Sequence, residues 1–181
     1  MSSDLPSLLL RLVRAGVDFV IVGGYAGVVH GCTYTTQDVD ICCDFSPANL
    51  LALQEALSDL RPVHRMTPGR KPLELTAANA GQFKNLYLDT DLGHLDCLSE
   101  IQGLGGYDQV RQASVPVEVE GRPLRVLSID ALIVAKEAMN RPRDREAVRQ
   151  LKAIRALRRQ GVHHGGTENT QQPEPRRGPE Q

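Results

Sequence analysis

A mixed α+β fold, one β-sheet flanked by helices with two more helices at the C-terminal end, is predicted by three features of this 181-residue chain. Short apolar runs bounded by glycine, proline and aspartate recur between Phe19 and Leu127, which is the pattern of strands. A helix with complete start signals opens at Ser46-Pro47, among those runs. After Ser128 the apolar residues change to helical spacing and keep it to Arg159. Strands and helices do not alternate over a long stretch, which argues against a barrel.

The first helix is expected over 5–15, with Ser3 or Asp4 as cap, Pro6 in the first turn and Gly16 at the break. Residues 19–22 form a short buried strand that ends at Gly23-Gly24, and a second helix follows over 25–30. Residues 32–37 are a polar loop and 39–43 the next strand. Ser46 caps the helix after it, Pro47 takes its first position, and Leu50, Leu53, Leu57 and Leu60 form its buried stripe. Residues 63–65 and 73–75 read as weak strands around a turn at Pro68-Gly69. Stronger strands span 85–88 and 94–98, with a turn over 89–93. The glycine-rich 101–107 reads as a loop. Residues 113–119 and 124–127 pair across Glu120-Gly121, and the last two helices span 129–139 and 144–159. Residues 1–160 make one domain; 161–181, rich in Gly, Pro, Gln, Glu and Arg, make a disordered tail.

Composition narrows the function. Four Tyr, three Phe and no Trp leave no aromatic platform for single-stranded nucleic acid. No stretch reaches the ~20 apolar residues of a membrane span, and the first residues lack a basic secretory region, so a cytoplasmic protein is expected. Cys32, Cys42, Cys43 and Cys97 have no metal-ligand spacing and read as buried free thiols. Residues 1–140 carry 11 Lys+Arg against 17 Asp+Glu, whereas 141–159 carry 8 against 2. An acidic body beside a basic helix is compatible with a metal site next to an anion-binding surface.

The chemistry concentrates around a glycine turn and three acids. Gly23 and Gly24 follow a buried strand and precede a helix, where backbone N–H groups can hold phosphate oxygens. Neither a Walker A loop nor a dinucleotide fingerprint is present. Asp38 and Asp40 flank Val39 at a strand start, so period-2 alternation turns both carboxylates to one face. Two carboxylates that close repel unless a cation neutralises them, and Mg²⁺ prefers such hard oxygen ligands. Asp96 stands inside the apolar strand His94-Leu-Asp-Cys-Leu98, a costly place for an isolated acid unless it joins the same centre.

Gly-Gly after a strand, then Thr-Gln-Asp38-Val-Asp40, then a strand-borne aspartate resembles the nucleotidyltransferase superfamily that includes DNA polymerase β. The wider stretch VGGYAGVVHG…TTQDVDI is similar to small bacterial proteins related to the abortive-infection (AbiEii-type) toxins, over roughly residues 8–157. The resemblance implies a nucleotidyltransferase-like sheet flanked by helices. It implies transfer of a nucleoside monophosphate from an NTP substrate to a hydroxyl or phosphate acceptor, with release of pyrophosphate. Gly23 and Gly24 match the turn that holds the triphosphate. Asp38, Asp40 and Asp96 match the catalytic acids that hold Mg²⁺ or Mn²⁺. Lys136 matches a lysine that faces the nucleotide, and Arg141-Pro-Arg143-Asp144 a stretch that opens the last helix, with Arg143 on the nucleotide.

The chain departs from that pattern at three places. Tyr34 stands where relatives commonly carry an arginine of the triphosphate clamp, Asn140 replaces a glycine and Arg143 a lysine. Arg70, Lys71 and Arg143 are the cations available in its stead. The expected chemistry is two-metal phosphoryl transfer, with Asp96 also placed to accept the acceptor's proton and Lys136 neutralising phosphate. The acceptor is open between tRNA, a protein hydroxyl, a small molecule and another nucleotide, and a partner protein or homodimer is expected to supply its surface. Two further readings stand beside this one. The first is a non-catalytic protein of the same fold that binds a nucleotide or a partner, as in toxin–antitoxin systems; the second is a phosphodiesterase or nuclease using the same acids.

Overall fold

The computed structural model describes residues 3–163, and a seven-stranded mixed sheet runs through them, its strands side by side in the order 63–64, 85–90, 93–98, 38–43, 19–22, 122–127 and 114–119. Helix α1 (Leu5–Arg14) carries Leu5, Leu8, Leu9 and Leu12 on its buried face. Of the two candidate caps it uses Asp4, whose carboxylate accepts from the Ser7 N–H at 3.1 Å. Strand β1 (Phe19–Val22) is buried throughout and leads directly into α2 (Gly23–His30). The second helix therefore starts two residues earlier than expected, and both glycines lie in its first turn.

Strand β2 (Asp38–Cys43) pairs antiparallel with β1 and parallel with β5 (Gly93–Leu98). Val39 and Ile41 are fully buried on the face opposite Asp38 and Asp40, as period-2 alternation requires. Helix α3 (Pro47–Leu57) keeps its anticipated start: the Ser46 hydroxyl accepts from the Asn49 N–H at 3.4 Å, and Pro47 sits at the first position. Helix α3 packs against α1.

Strand β3 (Val63–His64) is short and lies at the sheet edge against β4 (Asn85–Thr90). Residues 73–75 form no strand; only Pro72 bridges to Val63. Leu73 and Leu75 are instead buried as loop anchors, and Gln54 of α3 bonds both the N–H and the carbonyl of Leu75. The segment expected as a loop over 101–107 is more ordered. It contains a small ladder of β6 (Glu100–Ile101) with β7 (Gly105–Gly106), then α4 (Tyr107–Gln112). The glycines at 103 and 105 have positive φ, which lets so short a ladder close.

Strands β8 (Ser114–Val119) and β9 (Arg122–Leu127) form the expected hairpin, with positive φ at both Glu120 and Gly121. β9 returns the chain beside β1 in parallel. Ser128 caps α5 (Ile129–Met139), which ends on Asn140 in the left-handed region at φ 48°. Asparagine tolerates that conformation, so replacement of the glycine leaves the helix end intact. Helix α6 (Pro142–His163) begins two residues before the expected start and packs with α5 and α2. From residue 164 the expected tail lies outside the described residues. All four cysteines are free and buried. Among the described residues, no helix is long and apolar enough to cross a membrane.

Candidate functional site

Strand register builds the site as a row across the sheet. Val22 of β1 lies opposite Asp40 of β2, Asp40 opposite Asp96 of β5, and Asp96 opposite Tyr87 of β4. The Arg65 N–H donates to the Tyr87 carbonyl at 2.9 Å, which brings the residue after β3 to the end of that row. Gly23 continues from Val22 at the other end. These residues line a cavity of about 720 Å³ whose far wall is formed by Lys136, Arg141, Arg143 and Asp144. Asp38, Asp40, Asp96, Gly23, Gly24, Lys136 and Arg143 thus all face one space.

The two glycines have different reasons to be there. Gly23 has φ 62°, and a Cβ on it would lie 2.0 Å from Asp40 Oδ2. The Gly24 N–H donates to that same Asp40 oxygen at 3.3 Å. The first turn of α2 has no cap from its own flanking side chain, so Asp40 supplies the cap from the adjacent strand and sits at the positive end of the helix dipole. Burial still pushes the Asp40 carboxyl up; the Gly24 amide opposes this and neighbouring Asp38 adds to it.

Asp96 is 8% exposed and its Oδ2 accepts a bond of 2.7 Å from the Arg65 guanidinium. Its Oδ1 is buried with no partner among the described residues. Burial pushes this carboxyl up to about 6, Arg65 pulls against that shift, and Asp40 reinforces it. On its other side the Arg65 guanidinium lies 5.8 Å from the centre of the Tyr87 ring.

On the facing wall, Lys136 is buried at 6% exposure, so it does not snorkel to solvent. Its Nζ is 3.6 Å from Asp144 Oδ1 and 6.0 Å from the centre of the Tyr34 ring. Asp144 is buried as well and accepts from Arg141 Nε at 2.6 Å. Burial raises the Asp144 carboxyl, but Arg141, Lys136 and Arg143 together outweigh it and hold the group below its ordinary value. Arg143 is exposed at the rim and forms no ion pair among the described residues. Tyr34 lays its phenol against Gly27, where a Cβ would come within 1.7 Å of the hydroxyl oxygen. That hydroxyl is buried and unpartnered among the described residues, and burial raises its pKa.

Other charged and polar groups lie away from the cavity, Arg70 and Lys71 among them. Arg70 pairs with Asp89, and so does His94; Arg61 pairs with Asp91 at 2.8 Å; Lys71 lines a different cavity. His30 is a buried structural group whose Nε2 lies 2.8 Å from the Leu127 carbonyl. The residue that sequence reasoning missed is Arg65. Its one local signal is its place just after a strand at the sheet edge, and nothing nearby in the chain announces Asp96, 31 positions away.

These contacts overturn the expectation of a metal-dependent nucleotidyltransferase with Mg²⁺ or Mn²⁺ on Asp38, Asp40 and Asp96. Among the described residues no three His, Cys, Asp or Glu side chains are grouped so that they could hold a metal ion. The donor set does not fit the ion: one oxygen of Asp96 is bound by a guanidinium, and one oxygen of Asp40 caps α2. Arg65 already supplies the positive charge that a metal would bring to Asp96.

No protein-family model and no curated protein matches the sequence. Among solved structures it is similar to the lincosamide antibiotic adenylyltransferase LnuA, lincomycin-bound, at 18% identity and a TM-score of 0.54, over 85% of this chain and 99% of that one. It is similar to ANT(2")-Ia in complex with adenylyl-2"-tobramycin at 17% identity and a TM-score of 0.50, over 87% and 96% of the two chains. An antigenic nucleotidyltransferase-like protein from Paracoccidioides brasiliensis matches at 14% identity and a TM-score of 0.53, over 86% and 78%. At such identities the likeness is one of fold: the chain has the nucleotidyltransferase fold.

Proposed function

We propose that this chain is a non-catalytic nucleotidyltransferase-fold protein that binds a nucleotide in its main cavity without a divalent metal. The observation that carries this reading is the Arg65–Asp96 bond of 2.7 Å, which places a permanent cation from the protein against the third acid of the row. Asp40 is likewise engaged from within, its Oδ2 accepting the Gly24 N–H of α2. The facing wall offers Lys136, Arg141 and Arg143 to phosphate oxygens, and Arg143 is the cation there that forms no ion pair among the described residues. Two of the similar structures are described in adenylyl terms, so ATP heads the panel of nucleotides to test. The resemblance to AbiEii-type toxin-like proteins suggests that a partner protein or a second copy completes the working assembly.

Calorimetric titration with ATP, GTP, CTP and UTP, in excess Mg²⁺ and again in EDTA, tests the reading. Binding of at least one nucleotide with the same affinity in both buffers, and no pyrophosphate release with RNA or protein acceptors, is the expected result. Binding that collapses in EDTA, or release of pyrophosphate, would overturn it.

Arg143→Ala should weaken that binding about tenfold, or ~1.4 kcal/mol. Its melting temperature should be unchanged, because the side chain is exposed and forms no ion pair among the described residues. Equal affinity of the variant and the parent would remove Arg143 from the phosphate site.

A further inference from the structure

A second cavity of about 500 Å³ opens at the sheet edge beyond β3, outside the site described above. Three rings converge on it: His64, Phe83 and Tyr87. The His64 and Phe83 rings lie within 12° of parallel, with centres 6.0 Å apart. This is a concentration of ring surface in a chain with only seven Phe and Tyr residues and no Trp. Met66 lies beside the rings with 71% of its surface exposed, an apolar, polarisable side chain left facing water. Lys71, Glu74 and Asn85 stand around the same opening, and neither Lys71 nor Glu74 forms an ion pair among the described residues. The cavity is large enough for a small organic ligand and joins flat apolar walls to hydrogen-bonding groups of both kinds.

We infer that this cavity binds a planar heteroaromatic ring of the nucleobase class, stacked on the His64–Phe83 pair with its edge read by Lys71, Glu74 and Asn85. Each part of the lining matches one property of such a ring. Parallel aromatic planes favour a flat π-system over an aliphatic one. Met66 covers an apolar face and lowers its own exposure on doing so. A cation, a carboxylate and an amide offer donors and acceptors to ring nitrogens and exocyclic groups, which a hydrocarbon ring would leave unpaired. Burial lowers the His64 pKa, which favours the neutral imidazole, the form that stacks without a desolvation cost for charge. Tyr87 lines both cavities, so the ring site opens beside the main one.

Adenosine is the probe, because it carries the ring and no phosphate to draw it to the main cavity. Amide NMR of the full chain titrated with adenosine should show saturable shifts at His64, Met66, Phe83 and Asn85, and ribose should show none. Phe83→Leu keeps apolar volume and removes the ring, and should weaken adenosine about tenfold, the scale of one base–aromatic stack. Met66→Ala, at an exposed position where folding is not at stake, should weaken it about threefold. Neither Phe83 nor Met66 lines the main cavity, so these variants separate the ring site from the proposed phosphate site: either can fail while the other stands. Shifts confined to the main cavity, equal binding of ribose, or a Phe83→Leu variant that folds and binds as the parent does would each overturn the inference. If Phe83→Leu does not fold, an unchanged affinity in Met66→Ala would do the same.

Discussion

Asp144→Ala is expected to destabilise the protein by about 3–5 kcal/mol, the usual cost of breaking a buried ion pair from one side. Asp144 and Lys136 are 4% and 6% exposed, and their charged atoms are 3.6 Å apart. Removing the carboxylate leaves the ammonium buried beside Arg141 with no ion-pair partner among the described residues. Urea unfolding at pH 7 measures the loss. Asp144→Ala combined with Lys136→Met should recover most of it, since the orphaned charge is then gone. A loss under ~1 kcal/mol in the single variant would show that the pair is solvated. The pH dependence has a definite sign. The folded-state pKa of Asp144 lies below its ordinary value of 3.8, so its contribution is complete above that value and is lost as the pH falls below it.

Gly23→Ala should cost about 2–4 kcal/mol, with two separable causes. A left-handed φ of 62° strains any side chain by roughly 1–2 kcal/mol. The new Cβ would also stand 2.0 Å from Asp40 Oδ2 and force that carboxylate off the Gly24 N–H, with loss of a helix cap worth ~1 kcal/mol. In an Asp40→Gly background the clash is absent, so the same substitution should cost only the backbone strain. Thermal melts of the four proteins of this cycle check the argument, and strict additivity would refute it.

The fold was legible where its causes are local. Ser46 and Ser128 cap helices by reaching three residues ahead, and both caps were visible in the chain. The Glu120-Gly121 hairpin and the opposed faces of Val39 and Asp40 likewise follow from turn chemistry and a two-residue period. Elements with distant causes differ from what local pattern predicts. Helix α2 starts at Gly23 because Asp40, from another strand, caps it. Residues 73–75 have a strand's composition but serve as a loop anchor because Gln54 takes up both backbone polar groups of Leu75. Helix α4 emerges from a glycine-rich stretch whose ladder closes only through positive φ at 103 and 105.

The candidate site divides along the same line. Local pattern alone put Asp38 and Asp40 on one strand face, marked Asp96 as an acid needing a partner, and marked Gly23-Gly24 as a tight turn. That Asp96 lies directly beside Asp40 follows from the parallel pairing of β2 with β5, a long-range register that no local rule encodes. The partner itself was decided by tertiary structure. Antiparallel pairing of β3 with β4 carries Arg65 to the end of the row, where its guanidinium takes the place expected for a metal. A sequence lists its charges along a line, whereas each charge is neutralised by whatever lies within a few ångströms in space. The residue types of the site were therefore readable from the chain, and the cation that faces Asp96 was set by the fold.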